Sequence, residues 1–285
     1  MIELKTSKIG SFVASDLSNA TGPAHVLAVF PRHIYLVMNR QDKDITMILS
    51  PLTEQESPLS IILEEWPDWS SLRAQQGYYR NNTLKLGRYN INISDADICP
   101  SSISAFSGNI SYIKKNIKEL TKHLKHRSIF LRDVLDPSPS STLSVCDVHW
   151  LIEGIRLRDS GLLHRGAMEL AGLGVGLTPA GDDFLCGIML AAWFFAPKPR
   201  DLCLPLLRGA HGATTTLSFA FLNAAAAGHA SFTWRYFLEK LKKPVENDAL
   251  QQCLMSIIAH GATSGADTLA GFIWAIEHMK LSNNS

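Results

Sequence analysis

Short runs of β-branched and aromatic residues dominate the first hundred positions of the chain. Residues 25–30, 33–38 and 45–49 read HVLAVF, HIYLVM and ITMIL, and these runs are bounded by Pro, Asn and Asp. Residues 84–93, LKLGRYNINI, alternate between apolar and polar side chains, as a strand with one buried face does. The pattern predicts a β-rich N-terminal domain over residues 1–100.

The spacing of the apolar residues changes after the Ser-rich stretch that ends at Gly108. Ile110, Ile113, Ile117, Leu120 and Leu124 recur every three or four positions, which is the spacing of one helix face. Similar patterns follow at residues 148–157, 184–195, 217–228, 249–260 and 267–280. We therefore predict an α+β protein, in which the β-rich domain precedes a mainly α-helical C-terminal domain over residues 101–285.

The balance of charge argues against a polyanionic partner. The 285 residues include 27 basic and 26 acidic side chains, so the formal net charge is only +1. We expect no nucleic-acid partner and no membrane partner. The N-terminus lacks the pattern of a signal peptide, the apolar stretch 184–196 is too short to cross a bilayer, and the five cysteines include no CxxC pair. These features predict a cytoplasmic protein with reduced thiols.

A glycine-rich segment at residues 172–187 reads GLGVGLTPAGDDFLCG, and part of it recurs later in the chain. Residues 181–187 share the frame Gly-x-Asp-x-Leu-x-Gly with residues 265–271, and each copy follows a threonine-containing turn. On a helix, each aspartate heads a stripe of small residues: Asp183, Gly187 and Ala191 in the first copy, and Asp267, Gly271 and Ala275 in the second. If the two helices pack along these stripes in the same direction, Asp183 and Asp267 meet near paired N-termini.

Helix N-termini and bare glycine backbone suit a phosphate or carboxylate ligand, but Asp182, Asp183 and Asp267 would repel it. A magnesium ion, hydrogen bonds from a carbamoyl-type NH2 group, or helix-capping hydrogen bonds could each stabilise this negative charge. We therefore consider the three aspartates as catalytic residues or magnesium ligands. The substrate-binding candidates, through backbone N–H or hydroxyl groups, are Gly174, Gly176, Thr178, Gly181, Thr214, Thr215, Ser218, Ser264 and Gly265.

Structural interpretations of the same residues stay open. Ser264 and Asp267 have the S-x-x-D spacing of a capping box, while Gly187 and Gly271 suit close helix packing. Thr214, Thr215 and Ser218 are equally compatible with capping of the helix that follows them. Several standard motifs are excluded, because the P-loop-like spacing at residues 176–181 lacks its Lys-Ser/Thr, and no dinucleotide fingerprint, G-x-S-x-G or H-E-x-x-H is present.

The segments GLGVGLTPAGDDFLCG, TTTLSFAFLNAAAAG and HGATSGADTLAGF occur in this order and are similar to the bacterial family DUF2877. That family includes the AllH-type subunit associated with oxamate carbamoyltransferase, and some of its members are described as putative carboxylases. The resemblance is strongest over residues 172–274, and Leu86-Gly87-Arg88 resembles a further family pattern. It adds Thr263 to the candidate site and makes Arg88 a candidate source of positive charge, unless Arg88 is an ordinary surface residue.

The resemblance implies a transferase subunit in carbamoyl chemistry that joins oxamate, carbamoyl phosphate, oxalurate and phosphate during purine-nitrogen breakdown. The sequence shows no complete nucleophile-and-base set, so we expect this subunit to be inactive alone. It implies partners of the FdrA type and a second subunit, and a small anionic substrate. Two alternatives remain: a non-catalytic partner subunit of such a complex, and a magnesium-dependent phosphate-ester hydrolase.

Overall fold

The chain folds into two compact units in a computed structural model. This structure describes residues 1–40, 43–72, 76–106, 113, 117, 121, 124–138, 141–145, 148–242 and 247–279. The first unit comprises residues 1–101 with 230–232, and the second comprises residues 102–229 with 233–285. The first is rich in strands and the second is helical, which confirms the predicted α+β class.

The β-rich unit is a sheet whose strand pairing closes on itself. Its elements are β1 (Ile2–Gly10), α1 (Ser11–Leu17), β2 (Gly22–Val29), β3 (Ile34–Met38), β4 (Ile45–Pro51), β5 (Ser60–Leu63), β6 (Gln76–Arg80), β7 (Thr83–Leu86), β8 (Tyr89–Asn92) and β9 (Asp97–Cys99). The strand order is β5-β4-β3-β2-β6-β7-β8-β1-β9, and β1 also pairs with β5. Buried aliphatic and aromatic side chains such as Leu36, Leu49 and Tyr79 form its core.

The alternating segment 84–93 was expected to be one strand, and the structure shows that this is wrong. Leu86 pairs with Tyr89 across an antiparallel hairpin, so that only Gly87 and Arg88 form the turn. Gly87 has a φ of 56°, which is the left-handed conformation that the first position of such a two-residue turn requires. Alternation continues through the hairpin because both strands present the same face to the core.

The helical unit is built around two helices that are buried on nearly all sides. Its helices are α2 (Ile129–Leu135), α3 (Thr142–Val145), α4 (Val148–Leu157), α5 (Ser160–Leu170), α6 (Ala180–Phe195), α7 (Pro199–Ala210), α8 (Thr216–Ala226), α9 (Phe232–Leu241), α10 (Asn247–Ile258) and α11 (Ser264–His278). The central pair is α6 and α11, which are apolar around most of their circumference. This burial explains why small residues recur along both helices.

Some helices were predicted from apolar spacing and others were missed. The predicted segments 148–157, 184–195, 217–228, 249–260 and 267–280 correspond to α4, α6, α8, α10 and α11. Ile113 and Ile117 are helical and buried, whereas Ile110 and Leu120 lie outside the described residues. Within the described part of the chain, no helix combines the length and the apolar character needed to cross a membrane.

Candidate functional site

The starts of α6 and α11 meet, and both helices run in the same direction. The hydroxyl oxygens of Thr178 and Ser264, one at each start, lie 3.0 Å apart. Further along, a Cβ added to Gly187 would lie within 3.0 Å of backbone atoms of α11, and one added to Gly271 would do the same with the backbone of Phe184. The two stripes of small residues are therefore the contact surface, as the doubled sequence frame predicted.

The two copies of the frame also build their helix starts with matching hydrogen bonds. The N–H of Gly181 donates to the carbonyl of Leu173 at 2.8 Å, and the N–H of Gly265 donates to the carbonyl of His260 at 3.1 Å. Gly181 and Gly265 are both buried at the second position of their helices, and a Cβ on either would collide with a carbonyl at the end of the preceding helix. This close packing accounts for both glycines.

Asp182 is a buried anchor between the glycine-rich loop and the start of α8. Its Oδ1 accepts a hydrogen bond from the N–H of Gly172 at 3.0 Å. Its Oδ2 accepts one from the hydroxyl of Ser218 at 2.8 Å and a second from the hydroxyl of Thr214. Three donors therefore satisfy this carboxylate, which is only 1% exposed. Because its lone pairs are engaged in this way, Asp182 is poorly suited to serve as a magnesium ligand.

Thr215 joins the same network as the N-cap of α8. Its hydroxyl oxygen accepts a hydrogen bond from the N–H of Ser218 at 3.0 Å and donates one to the carbonyl of Leu177 at 2.6 Å. This is the capping geometry that one of the two sequence interpretations expected for this segment. The hydroxyls of Thr214, Thr215 and Ser218 thus hold the glycine-rich loop against α8.

The glycine-rich loop presents backbone donors that no other described residue uses. Across the described part of the chain, the N–H groups of residues 174–178 find no acceptor. Gly174 and Gly176 have φ angles of 116° and 105°, which side-chain-bearing residues rarely adopt. Open space surrounds Gly176, and the neighbouring Val175 is 95% exposed. An anion can therefore approach this backbone closely.

Asp183 occupies the first turn of α6 beside Thr178 and Ser264. Burial raises the pKa of its carboxyl group to about 8, and the negative charges of Asp267 and Asp182 raise it further, while hydrogen bonds from Ser264 and Thr178 oppose the shift. Its Oδ2 is closed off from solvent and has no hydrogen-bond partner in the described residues. At neutral pH this side chain is therefore mostly protonated and does not repel an anion.

Asp267 occupies the equivalent position in the first turn of α11. Burial raises the pKa of this carboxyl group, and hydrogen bonds with the hydroxyls of Ser128 and Thr263 counteract the rise. Asp267 is 1% exposed, and its Oδ2 also has no hydrogen-bond partner in the part of the chain described. The capping-box interpretation is wrong, because the N-cap is Thr263 and its side chain makes no capping bond.

The structure divides the predicted site residues into three groups. Thr178, Asp183, Thr263, Ser264 and Asp267 come together at the two helix starts, and Asp182, Thr214, Thr215 and Ser218 form the anchor next to them. Arg88 belongs to the β-rich unit, where its guanidinium donates to the hydroxyl of Tyr89 at 2.9 Å. Sequence reasoning missed Ser128, whose only indication is its place before the apolar run at residues 129–131.

Two further observations bear on possible ligands. The described residues contain no group of three or more His, Cys, Asp or Glu side chains arranged to hold a metal ion. A cavity of about 220 Å³ lies in the β-rich unit, and none of the predicted site residues lines it; its lining residues are Lys8, Leu52, Glu54, Gln55, Glu56, Ile62 and Phe232. The predicted site residues of the second unit therefore lie at its helix starts, and none of them lines this cavity.

Comparison with known proteins gives a family match over part of the chain and no structural relative. No solved structure matches this chain. The family model that matches covers all three aspartates, the glycine-rich loop and the start of α8. Residues 170–276 of this chain match the family described as oxamate carbamoyltransferase subunit AllH, which confirms the resemblance stated from the motifs.

Proposed function

We propose that the helical unit binds a small anionic compound with a carbamoyl or amide group, and that the chain acts as a subunit of a carbamoyltransferase-type complex. The observation that carries this proposal is a pair of equivalent carboxyl groups beside a loop of free backbone N–H groups. Within the described residues, the buried Oδ2 of each carboxyl group and the N–H groups of residues 174–178 have no hydrogen-bond partner. Both features lie inside the span that matches the AllH family. FdrA-type proteins and a second subunit are the partners that we propose for this complex.

The two parts of the site suit the two ends of such a ligand. The N–H groups of residues 174–178 are donors for a carboxylate or phosphate, and no charged side chain is needed to hold it. The free Oδ2 atoms of Asp183 and Asp267 are acceptors for an NH2 group, which has two protons to donate. Protonation of Asp183 at neutral pH removes the repulsion that a fully ionised cluster would exert.

Calorimetric titration tests this binding site directly. We would titrate the purified chain with carbamoyl phosphate, oxamate, oxalurate and phosphate, with and without magnesium, and compare Asp183→Asn and Asp267→Asn with the wild type. Asp201→Asn is the matched control, because Asp201 is an exposed aspartate in the first turn of another helix, α7. Binding that the two site variants lose and the control keeps supports the proposal. An absence of heat with every ligand, from folded protein, rejects it.

A second candidate is a non-catalytic partner subunit, and one set of observations favours it. The glycines at positions 181, 187, 265 and 271 are all required by backbone packing, and Asp182 is satisfied by internal donors. In that case the doubled motif stabilises the helical unit, and the chain contributes only a docking surface to the complex. Activity of the complex that survives both Asp183→Asn and Asp267→Asn would support this candidate.

The magnesium-dependent hydrolase is the weakest of the alternatives considered from sequence. Asp182, one of its three proposed ligands, accepts three hydrogen bonds from the protein itself. Among the described residues, Asp183 and Asp267 keep one oxygen each without a partner, so any bound cation would rely on these two carboxylates and on water. The magnesium arm of the titration tests this possibility, since a true metal requirement would make ligand binding depend on added magnesium.

A further inference from the structure

Asp183 and Asp267 are related by the repeat in the structure as well as by sequence. Each lies four residues beyond its N-cap, which is Pro179 for α6 and Thr263 for α11. The two helix starts are joined by the contact between the hydroxyls of Thr178 and Ser264 at 3.0 Å. Two carboxyl groups thus occupy the same position on two parallel helices.

The surroundings of this pair contain few groups able to neutralise two negative charges. Each Oδ2 is buried and has no hydrogen-bond partner among the described residues. Four hydroxyls contact the pair: those of Thr178 and Ser264 contact Asp183, while those of Thr263 and of Ser128, the N-cap of α2, contact Asp267. The titratable neighbours are Asp182 and Cys186, both on α6. No cation of the described residues is among the main influences on either carboxyl group.

Two like charges confined in this way do not both persist. When two carboxylates share a site with little water, one of them retains a proton well into the neutral range, and the pair carries a single negative charge. Such a pair contains a base and an acid at the same pH. Asp182 differs from this pair, because three internal donors engage its oxygens.

We propose that Asp183 and Asp267 act as one acid–base pair, which holds a single proton in the resting protein and removes an N–H proton from an amide acceptor at the two helix starts. The inference rests on the proposed function, because it names the catalytic groups of that same site. Sequence position, burial and the free oxygens assign this role to these two aspartates and leave Asp182 as a positioning residue.

In this step carbamoyl phosphate is the donor of the carbamoyl group. The amide nitrogen of the acceptor forms a bond with the carbamoyl carbon, and the bond between that carbon and the phosphate oxygen breaks. Phosphate leaves with the bonding electron pair. The proton lost by the nitrogen passes to the ionised carboxylate of the pair, which becomes neutral. The pair then returns that proton to phosphate or to solvent when the products depart.

Carboxyl-carbon NMR on selectively labelled protein tests the shared proton without any ligand. In the wild type we expect the resonances of Asp183 and Asp267 to shift together with pH, with one proton retained at neutral pH. In Asp267→Asn the neighbouring negative charge is lost. The titration midpoint of the Asp183 carboxyl group is then expected to fall by at least about one pH unit, because a like charge raises a carboxyl pKa. An unchanged midpoint in Asp267→Asn, or independent titration in the wild type, overturns the shared proton.

Turnover by the complex with its partner subunits tests the catalytic role. Asp183→Asn and Asp267→Asn are each expected to reduce carbamoyl transfer about 100-fold or more at saturating concentrations of both substrates, whereas Asp201→Asn is expected to match the wild type. Transfer within about 3-fold of the wild type in either site variant overturns the role of the pair. If no ligand binds although the NMR titration shows the shared proton, the proposed function fails and the acid pair remains.

Discussion

The two helix–loop–helix segments, α5–α6 and α10–α11, share a framework but differ in the loop. The N–H of Leu173 bonds to Leu170 and that of His260 bonds to Ile257, and each turn is followed by the bond to the helix-start glycine. That last bond spans eight residues in the first segment and five in the second. The three additional residues belong to the loop that contains the unused N–H groups of residues 174–178.

The second difference is the residue after the helix-start glycine. The first segment has Asp182 at this position and the second has Ala266, although Asp183 and Asp267 follow in both. Asp182 bonds to the start of its own loop through Gly172 and to α8 through Ser218. The shared elements therefore build the meeting helices and the carboxyl pair, whereas the longer loop and its anchor are additions specific to one copy.

The largest expected effect tests the shared framework. Gly181→Ala and Gly265→Ala each place a Cβ within 3.0 Å of a backbone carbonyl, so each is expected to lower the free energy of unfolding by at least about 3 kcal/mol. Denaturant titration followed by near-UV circular dichroism measures this loss. Gly212→Ala is the control, with a positive φ but open space, and about 1 kcal/mol is expected. If only one of Gly181→Ala and Gly265→Ala destabilised the protein, the two helix starts would not be structurally equivalent.

The next prediction concerns the pH dependence of stability. The folded-state pKa of Asp183 is about 8, above its unfolded value of 3.8, so the folded protein holds a proton that the unfolded chain releases. Its carboxyl group therefore lowers the free energy of unfolding by about 1.4 kcal/mol for each unit that the pH rises between about 4 and about 8. Denaturant unfolding of the wild type and Asp183→Asn at pH 5 and pH 8 measures the difference. We expect the variant to gain relative stability at pH 8, and an equal response of both proteins contradicts this.

A smaller effect separates the anchor from the framework. Asp182→Ala removes the acceptor for Gly172, Thr214 and Ser218 and leaves buried donors unpaired, at a cost of about 2 kcal/mol. Amide hydrogen exchange should increase over residues 172–178 and stay unchanged over residues 259–263, where the second copy has no such anchor. Ser218→Ala, which removes one of the three bonds, is expected to give a weaker form of the same pattern.

The smallest prediction concerns the hydroxyl contact between the copies. Ser264→Ala removes the 3.0 Å contact with Thr178 and is expected to cost about 1 kcal/mol in the free energy of unfolding. The same change should raise the pKa of Asp183, because the Ser264 hydroxyl favours its ionised form. Carboxyl-carbon NMR measures the direction of the shift. A lower pKa in Ser264→Ala would show that the hydroxyl does not stabilise this carboxylate.

The sequence predicted the α+β class and the meeting of the two helices, because both depend on local periodicity and on a repeated frame. It did not distinguish Asp182 from Asp183. Adjacent helical residues differ in direction by about 100°, so one faces the loop and α8 while the other faces α11, and only tertiary packing determines which does so. The contact of Ser128 with Asp267 was also inaccessible, since it joins residues far apart in the chain.

The hairpin at Gly87 and the missed helices show two other limits of pattern reading. Alternation of apolar and polar residues persists through a two-residue turn. The alternation in residues 84–93 therefore gave no sign that the chain reverses direction at Gly87. Helix α7 was missed because Pro205 lies inside it and argues locally against a helix, although packing in the folded unit maintains it. In both cases the tertiary structure overrides the local preference.

The closed sheet of the first unit has a consequence for the order of folding. Strand β1 pairs with β5, β8 and β9, so the first residues of the chain find their partners only among residues 60–99. During synthesis β1 must wait until most of the unit has emerged from the ribosome, and ring closure then depends on contacts between distant residues. We therefore expect closure around β1 to set the folding rate of this unit, with the local hairpins β6–β7 and β7–β8 forming earlier.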